Sequence, residues 1–406
     1  MAKPSLGLFL LFVFLVGCNS SNEQYGYEQE NFDETTKVYE IDTEPEYQIH
    51  FDKTAFPKDL KKLKPVNIGG IAADEAGNVF FLDSDKRRIL KVDKNGYYQA
   101  SNGREGNGPG EFIATPKIRV VNDTLFAFAP MLRRITVFST DSLQVLDTYT
   151  PYPKGKKDVQ ELNGFDLSMI YFTKNAQLLA QFNEPIFSNP AHKSYNADSL
   201  FSKFALMNKD GNFLSGVILE QRGKEYLTVK SGCQIKISAA PFLSQPLFIT
   251  SDDGDIILAS SRSFLINVYD FKGTLKNSFF YPLERLKINH EEVLEEQKKA
   301  FEAEMMDESL IKIWECVYKK AQKPEYWPVL EEMVVDDNKR LWVETRTNDP
   351  NKNTWWVVDM EGTLHAKFDW PVQEEIQLIK GDYLYATKVT NENEELMRYR
   401  IELEER

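Results

Sequence analysis

A short pattern of apolar strands and Asp/Gly turns recurs along this chain, and it constrains the fold more than any other feature. In its clearest copy, residues 70–96, the first strand runs into a turn from Asp74 to Gly77, and the third strand runs into a turn from Asp93 to Gly96. Apolar runs separated by short Gly-containing turns pair as antiparallel strands. Each copy of the pattern therefore predicts one antiparallel meander.

The second strand of this unit can be located six times along the sequence. Its centres fall at Phe80, Phe126, Leu179, Ile257, Trp342 and Leu384. Spacings of 46, 53 and 42 residues match a four-stranded propeller blade of about 40–50 residues. Spacings of 78 and 85 require insertions, and a seventh blade stays open. We predict an all-β fold, a six-bladed β-propeller of four-stranded antiparallel blades, with a stack of sandwiches as the alternative.

Two segments outside the repeats complete this prediction. Closing the ring would pair a strand near residues 47–52 with the last blade near residues 397–403. Alternating apolar residues at 226–237 predict extra strands in one of the long spacings.

A helical hairpin at about 290–322 explains the other long spacing. Asn289 and Glu292 form a capping box at its start, and Asp307 can cap the second helix. The second helix has one apolar face, which we expect to dock on the rim or face of the propeller, formed by Leu310, Ile313, Trp314, Val317, Tyr318 and Ala321.

The N-terminus carries an apolar leader that ends at Gly17 and Cys18. Its apolar run of about twelve residues is too short for a hydrocarbon core that needs roughly 20. Residues 1–17 resemble the signal peptide of bacterial lipoproteins, whose cysteine is lipidated and becomes the first residue. The resemblance implies lipidation of Cys18 and attachment to the outer membrane, facing the periplasm or the cell surface.

Residues 18–46 are predicted to form an acidic disordered tether before a propeller domain at 47–406. Nine acids stand against Lys37 alone in this segment, a net charge of −8, while the domain has a net charge of −6. Such a polar, charged stretch does not bury enough apolar surface to fold. The domain has no basic stripe, so nucleic acid is not an expected partner.

The Gly-rich stretch from Gly103 to Phe112 follows the first meander. In this position it resembles the linker between blades in NHL- or TolB-like propellers, and in the six-bladed propeller lipoproteins of Bacteroidetes. The resemblance implies that Gly108 and Gly110 adopt positive φ. The sequence motifs match over residues 70–145, and beyond them only the order of strands and turns matches. The resemblance therefore implies a fold but does not identify a ligand.

Few residues support catalysis or metal binding. No Gly-x-Ser-x-Gly motif occurs, and the run from Asp252 to Asp255 fits a hairpin turn better than a calcium loop. No metal-ligand spacing joins the histidines, which are His50, His192, His290 and His365. We therefore expect no cofactor and no metal, and favour a protein that is not an enzyme. A metal-dependent hydrolase or lyase acting through the central channel is the alternative.

Cys233 and Cys316 remain after lipidation of Cys18. Two cysteines in so large a domain do not form a disulfide framework. We expect two separate buried thiols, with a bridge between them as the alternative.

The most consistent function is a non-catalytic module that binds a carbohydrate, a peptide or an envelope protein. Propellers gather variable loops around a central channel, where ligands bind. Three arginines near strand ends of different blades could converge there, and an aromatic pair between prolines could stack on a sugar or pack internally. The candidate ligand-binding residues are Arg104, Asn107, Arg134, Arg262, Tyr326, Trp327 and Arg346.

Overall fold

The computed structural model describes residues 35–40, 43–58, 67–172, 177–185, 200–229, 231–234, 237–390 and 394–405. Strands dominate the first half of the described chain. In chain order they are β1 (Lys37–Val38), β2 (Tyr47–Thr54), β3 (Ile68–Ala73), β4 (Val79–Asp83), β5 (Arg88–Val92), β6 (Tyr98–Asn102), β7 (Arg104–Glu105), β8 (Glu111–Phe112), β9 (Lys117–Val121), β10 (Thr124–Ala129), β11 (Arg134–Ser139), β12 (Val145–Tyr149), β13 (Asp166–Phe172), β14 (Leu178–Asn183), β15 (Phe201–Met207) and β16 (Phe213–Arg222).

The second half adds thirteen strands and two helices to the described chain. They are β17 (Leu227–Thr228), β18 (Ile237–Ser238), β19 (Pro246–Thr250), β20 (Ile256–Ser260), β21 (Phe264–Tyr269), β22 (Leu275–Tyr281), α1 (His290–Ala303), α2 (Glu308–Lys320), β23 (Leu330–Val335), β24 (Leu341–Thr345), β25 (Lys352–Val358), β26 (Leu364–Pro371), β27 (Glu374–Lys380), β28 (Tyr383–Val389) and β29 (Glu394–Glu405).

Six antiparallel sheets form a ring of six blades. Blades 1 to 5 are β3–β6, β9–β12, β13–β16, β19–β22 and β23–β26, and blade 6 combines β27–β29 with β2. The first strands of neighbouring blades, such as β3 and β9 or β23 and β27, contact each other around the axis. The predicted six-bladed propeller is confirmed, and every predicted centre of a second strand lies in one.

The Asp/Gly turns explain why the second strands could be located. In the turn between β3 and β4, Gly77 has a φ of +82° and its N–H donates to the Asp74 carbonyl over 3.1 Å. The Asp74 carboxylate also accepts from the N–H of Asn78 over 2.8 Å. Glycine adopts a positive φ at the lowest energetic cost because it has no Cβ. An aspartate side chain can accept hydrogen bonds from backbone N–H groups of its own turn. The same two requirements recur from blade to blade.

The ring closes as predicted, through strand β2. It pairs antiparallel with β29, from Tyr47 opposite Glu405 to Thr54 opposite Arg398. Part of the segment predicted as a tether, residues 18–46, nevertheless packs on the propeller. Strand β1 pairs in parallel with β22, and the ring of Tyr39 stacks on Tyr281 at a centroid distance of 4.9 Å. This part of the predicted tether is therefore packed on blade 4.

The propeller has two different faces because consecutive strands run antiparallel. The turns between the first and second strands and between the third and fourth strands lie on one face, which we call the turn face. The loops between second and third strands, and the connections between blades, lie on the opposite face, which we call the loop face.

Both long spacings between repeats are connections between blades on the loop face. Residues 223–245 join blades 3 and 4 and contain β17 and β18, while residues 282–329 join blades 4 and 5 and contain α1 and α2. The helical hairpin and the extra strands are thus confirmed, and these strands pair with each other outside the six blades. We call the described residues of these two insertions the cap.

The helix starts follow the predicted caps, but the buried face of α2 is rotated from the prediction. Asn289 accepts from the N–H of Glu292, and Asp307 accepts from the N–H of Ser309 over 2.8 Å. Ile311 is buried on α2, whereas Leu310 is 53% exposed. The predicted stripe is therefore wrong at Leu310, because spacing alone does not tell which edge of an apolar face meets its partner.

The expected docking site of α2 is also corrected. Trp314, Val317 and Tyr318 pack in one cluster with Leu227 and Phe242 of the other insertion. The two insertions thus bury each other's apolar surface, which neither could do alone. The sequence does not show this pairing because the partners lie about 75 residues apart in the chain.

A disulfide bond joins the two insertions, contrary to the expected pair of buried thiols. Cys233 beside β18 and Cys316 on α2 are bridged, with Cα atoms 5.8 Å apart. Because the two cysteines are 83 residues apart, their proximity exists only in the folded cap. The bridge ties the linker of blade 3 to the helical hairpin.

The two glycines predicted to have positive φ behave differently. Gly110 has a φ of +75°, as expected, but Gly108 is not among the residues with positive φ. Gly103 and Gly106 take that conformation instead, with φ of +110° and +149°. The resemblance to propeller linkers thus gives the right kind of loop but misplaces one of the strained positions.

Candidate functional site on the loop face

All seven candidate ligand-binding residues lie on the loop face or at strand ends beside it. Arg104 and Asn107 belong to the connection between blades 1 and 2, and Tyr326 and Trp327 to the connection between blades 4 and 5. The three arginines stand in or next to loops between second and third strands. Their positions agree with a shared face, but their contacts differ.

Arg104, Asn107 and Arg134 hold the first linker together. The guanidinium of Arg134 donates to the backbone carbonyls of Asn107 and Glu111. Arg104 pairs with the carboxylate of Glu111, which also accepts from the N–H of Gly108 over 2.7 Å. These bonds lower the pKa of Glu111, the bond from Gly108 first. The three candidate residues therefore fix the shape of the linker.

Arg262 lies elsewhere, at the junction of blades 3 and 4. Its guanidinium pairs with Glu225 in the cap. Each of the three arginines thus contacts partners in its own part of the ring, and the structure does not bring them to one point.

The structure does bring together Trp327 and Arg346. The guanidinium of Arg346 lies 4.3 Å from the centre of the Trp327 ring, and its Nε donates to Glu331 over 2.6 Å. The guanidinium of Arg285 lies in the same way over the ring of Tyr326, 5.1 Å from its centre. Stacking on aromatic rings orients a guanidinium while leaving other donors for a ligand.

Five glutamates lie near the loop-face ends of strands in blades 5 and 6, close to Arg346 or to one another, and none of them was predicted from the sequence. We call them the acidic mouth. Two stand at the start of β23 and two at the start of β27, with one more on β24: Glu331, Glu332, Glu374, Glu375 and Glu344. Four of these glutamates, all but Glu332, line with Arg346 and Asn353 a pocket of about 370 Å³.

Burial makes several of these carboxylates hard to ionise. Burial, with repulsion by Glu375 and Glu344, raises the pKa of Glu332 to about 8. Burial also raises the pKa of Glu331, against the opposing effect of Arg346, and that of Glu344, against the bond from Asn353. Glu332 has no hydrogen bond or ion pair in the described part of the chain, and the attraction by Lys117 does not offset its burial. Carboxylates with raised pKa values in a cleft mark a candidate functional site.

A smaller pocket of opposite charge adjoins the acidic mouth on the other side of Arg346. It has a volume of about 150 Å³ and is lined by Arg285, Arg346 and Lys367 beside the ring of Trp356. The Lys367 ammonium lies 4.0 Å from the centre of that ring. Arg346 thus separates a pocket rich in carboxylates from one rich in cations.

The opposite end of the channel is crossed by ion pairs between blades. Arg119 of blade 2 reaches Asp252 of blade 4 over 3.1 Å. Lys380 of blade 6 pairs with Glu75 of blade 1 at 2.7 Å and with Asp337 of blade 5 at 3.6 Å. These ion pairs link five blades on the turn face. The turn-face end of the channel is therefore lined by charged side chains.

The acidic turn from Asp252 to Asp255 has basic partners on the turn face. Asp253 pairs with Lys339 at 2.5 Å, and Asp255 pairs with Lys276 at 2.9 Å. Across the described ranges, no group of three or more His, Cys, Asp or Glu side chains has a geometry that could hold a metal ion. His192 lies outside the described residues, as does Cys18.

No helix in the described ranges combines the length and the apolar character that a bilayer crossing requires.

The comparisons with known proteins concern the fold. No family model and no curated protein matches this chain. A member of the DUF4221 family from Bacteroides vulgatus is 11% identical with a TM-score of 0.51, covering 89% of this chain and 100% of that one. A Bacteroides fragilis protein whose name classes it as exported is 12% identical with a TM-score of 0.49, covering 91% and 99%. At 11% identity, the likeness to the Bacteroides vulgatus protein concerns the fold alone.

The acidic mouth did leave a signal in the sequence. Glu331-Glu332 and Glu374-Glu375 both stand near the start of a first strand, in consecutive blades. First strands of a propeller are enclosed by the ring, where unpaired charges are costly. Paired acids near the start of two such strands are therefore a signal of a candidate site.

Proposed function

We propose that this protein is an exported, lipid-anchored binding module whose ligand enters through the loop face. One observation carries the binding part of this proposal. The acidic mouth, the adjoining cationic pocket, both long insertions and all seven candidate residues lie on the loop face or beside it. Concave sites with a few fixed charges, built on a rigid scaffold, are typical of ligand binding.

The chemistry of the mouth favours a ligand with a positively charged group. Its acids outnumber the lining cations, and among the described residues Glu332 accepts no hydrogen bond and is attracted only by the charge of Lys117. A cationic group beside Glu332 and Glu375 would replace their mutual repulsion by attraction and would lower the raised pKa. Cationic peptides and amines of the cell envelope have this chemistry. A metal-dependent reaction is less favoured, because the described acids do not form a ligand set.

Anchoring rests on the leader and is tested separately. The leader ends in Gly17-Cys18, which resembles a lipoprotein signal. Replacing Cys18 with serine should abolish acylation and move the protein from the membrane fraction to the soluble fraction. Cys316→Ser is the matched control, since it also removes a cysteine but should leave the protein in the membrane. Retention of the Cys18→Ser protein in the pellet after a high-salt wash would contradict the proposal.

Spermidine, a small flexible trication, tests the acidic mouth. We expect calorimetry at low ionic strength to show binding that weakens as salt is added. The double variant Glu332→Gln and Glu375→Gln should lose at least about tenfold in affinity, because neither carboxylate has a hydrogen bond or ion pair among the described residues that would compete with the ligand. Glu296→Gln, on the exposed surface of α1, is the matched control and should bind like the wild type. Equal affinity in all three proteins would exclude the mouth as the site.

A further inference from the structure

We propose that the cleft between blades 3 and 4 is a second ligand site, and that it binds a saccharide. The cleft has a volume of about 400 Å³, which falls within the range of small-molecule sites. One wall is the end of β16, and the other is β21 with the loop that precedes it. The cap linker, residues 223–245, passes beside it.

The charge of this cleft differs from that of the acidic mouth. Its acidic side chains, Glu220 and Glu225, are matched by Arg222 and Arg262. Glu225 is fixed from two sides, by Arg262 and by the N–H of Ser244 over 3.0 Å. A charged ligand would have to displace this pair. A neutral ligand can use the pair as it stands, with donors on the arginine and acceptors on the carboxylate.

The remaining polar groups of the cleft are hydroxyls and amides, several of which have unused bonding capacity. Gln221 donates through its side-chain nitrogen to the carbonyls of Leu247 and Ala259, so its amide oxygen stays available as an acceptor. Asn267 has no side-chain hydrogen bond in the part of the chain that the structure describes. The Ser263 hydroxyl is buried and also lacks a partner there. Buried polar groups normally find partners, so the Ser263 hydroxyl beside these half-buried amides indicates a missing one.

The cleft also offers an apolar surface beside these groups. Leu265, Asn267 and Tyr269 alternate along β21 on one face of the strand, all half-buried. An aromatic ring and a leucine that flank an amide match the two sides of a sugar ring, which has C–H groups on its faces and hydroxyls around its edge. The combination of neutral charge, unused donors and acceptors, and an apolar strip thus favours a saccharide over an ion or a lipid.

The test uses the full mature chain and a panel of glucose, galactose, mannose, N-acetylglucosamine, maltose and cellobiose. Saturation-transfer NMR should detect saturable binding of at least one of these sugars. Asn267→Ala and Arg262→Ala should each weaken that binding at least tenfold. Tyr269→Phe retains the ring and serves as a milder variant, with a smaller loss. Melting temperatures show whether each variant is folded, and Ser263→Ala replaces any variant that is not.

Two controls separate this site from the acidic mouth. Glu375→Gln should leave sugar binding unchanged, and Asn267→Ala should leave spermidine binding unchanged. If no sugar of the panel binds, or if binding survives both Asn267→Ala and Arg262→Ala, the inference is overturned. That result would leave the proposed function of the mouth untouched, since it concerns different residues.

Discussion

Replacing Trp314 with alanine should destabilise the cap by about 3–5 kcal/mol while the six blades stay folded. Trp314 is only 7% exposed and contacts the rings of Phe301 and Tyr318 at centroid distances of 5.2 and 4.9 Å. Its indole N–H also points to the carbonyl of Ala239, 3.4 Å away, in the other insertion. The side chain thus fills the interface between the two insertions, and its loss leaves a cavity there.

Leu310→Ala is the matched control for this prediction. Leu310 lies on the same helix and belongs to the apolar stripe that the sequence predicts, yet it is 53% exposed. Its truncation should change stability by less than about 0.5 kcal/mol. Hydrogen exchange resolves the effect by segment: in Trp314→Ala, residues 290–320 should lose protection while the strands of blades 1, 2 and 6 keep it. Equal protection in both variants would show that the cap does not depend on this interface.

The disulfide bond makes the same experiment more informative. The bridge from Cys233 to Cys316 keeps α2 near β18 even when packing is weakened, so it should mask part of the Trp314→Ala effect. Reduction of the bridge in the variant should therefore cost more than reduction in the wild type. Residues that stabilise one interface typically show such non-additive effects.

The blade pattern could be predicted from sequence because each blade is a local structure. Its turns, such as Asp74 to Gly77, depend on residues within five positions of each other, and its strands pair with their neighbours along the chain. Ring closure by β2 is the long-range exception. It was predictable because a propeller with an unpaired final blade would leave an exposed sheet edge. Contacts between segments that are far apart in the chain, and that no nearby residue pattern indicates, could not be predicted.

The cap and the acidic mouth belong to this second kind. The apolar face of α2 was visible, but its partner at Phe242 was not, and the bridge between Cys233 and Cys316 follows from that same pairing. At the mouth, Arg346 and Trp327 were singled out separately as a strand-end charge and an aromatic between prolines. Only the fold shows that they stack and that Arg346 donates to Glu331. The sequence shows which residue types could bind a ligand. Which of them lie close together in different blades is known only once the ring is formed.

The second large effect is expected at Glu332, where Glu332→Gln should stabilise the protein at alkaline pH. Burial, with Glu375 and Glu344 nearby, raises the pKa of the folded glutamate to about 8 from its usual 4.5. Between these two pH values the folded chain holds a proton that the unfolded chain has released. The free energy of unfolding therefore falls as the pH rises across this window, and levels off above about pH 8. Glutamine does not ionise, so this loss disappears in the variant.

Urea unfolding from pH 5 to pH 9 measures this difference directly. Wild type and Glu332→Gln should be about equally stable at pH 5, and the variant should be more stable by about 2–4 kcal/mol above pH 8. Glu296→Gln, exposed on α1, should follow the wild-type curve throughout. Parallel curves for wild type and Glu332→Gln would show that this carboxylate ionises as freely as a solvated one. Spermidine links the effect to function: if it binds at the mouth, it should restore wild-type stability at pH 8–9 by stabilising the ionised Glu332. The glutamine variant, which has no charge there to stabilise, should respond much less.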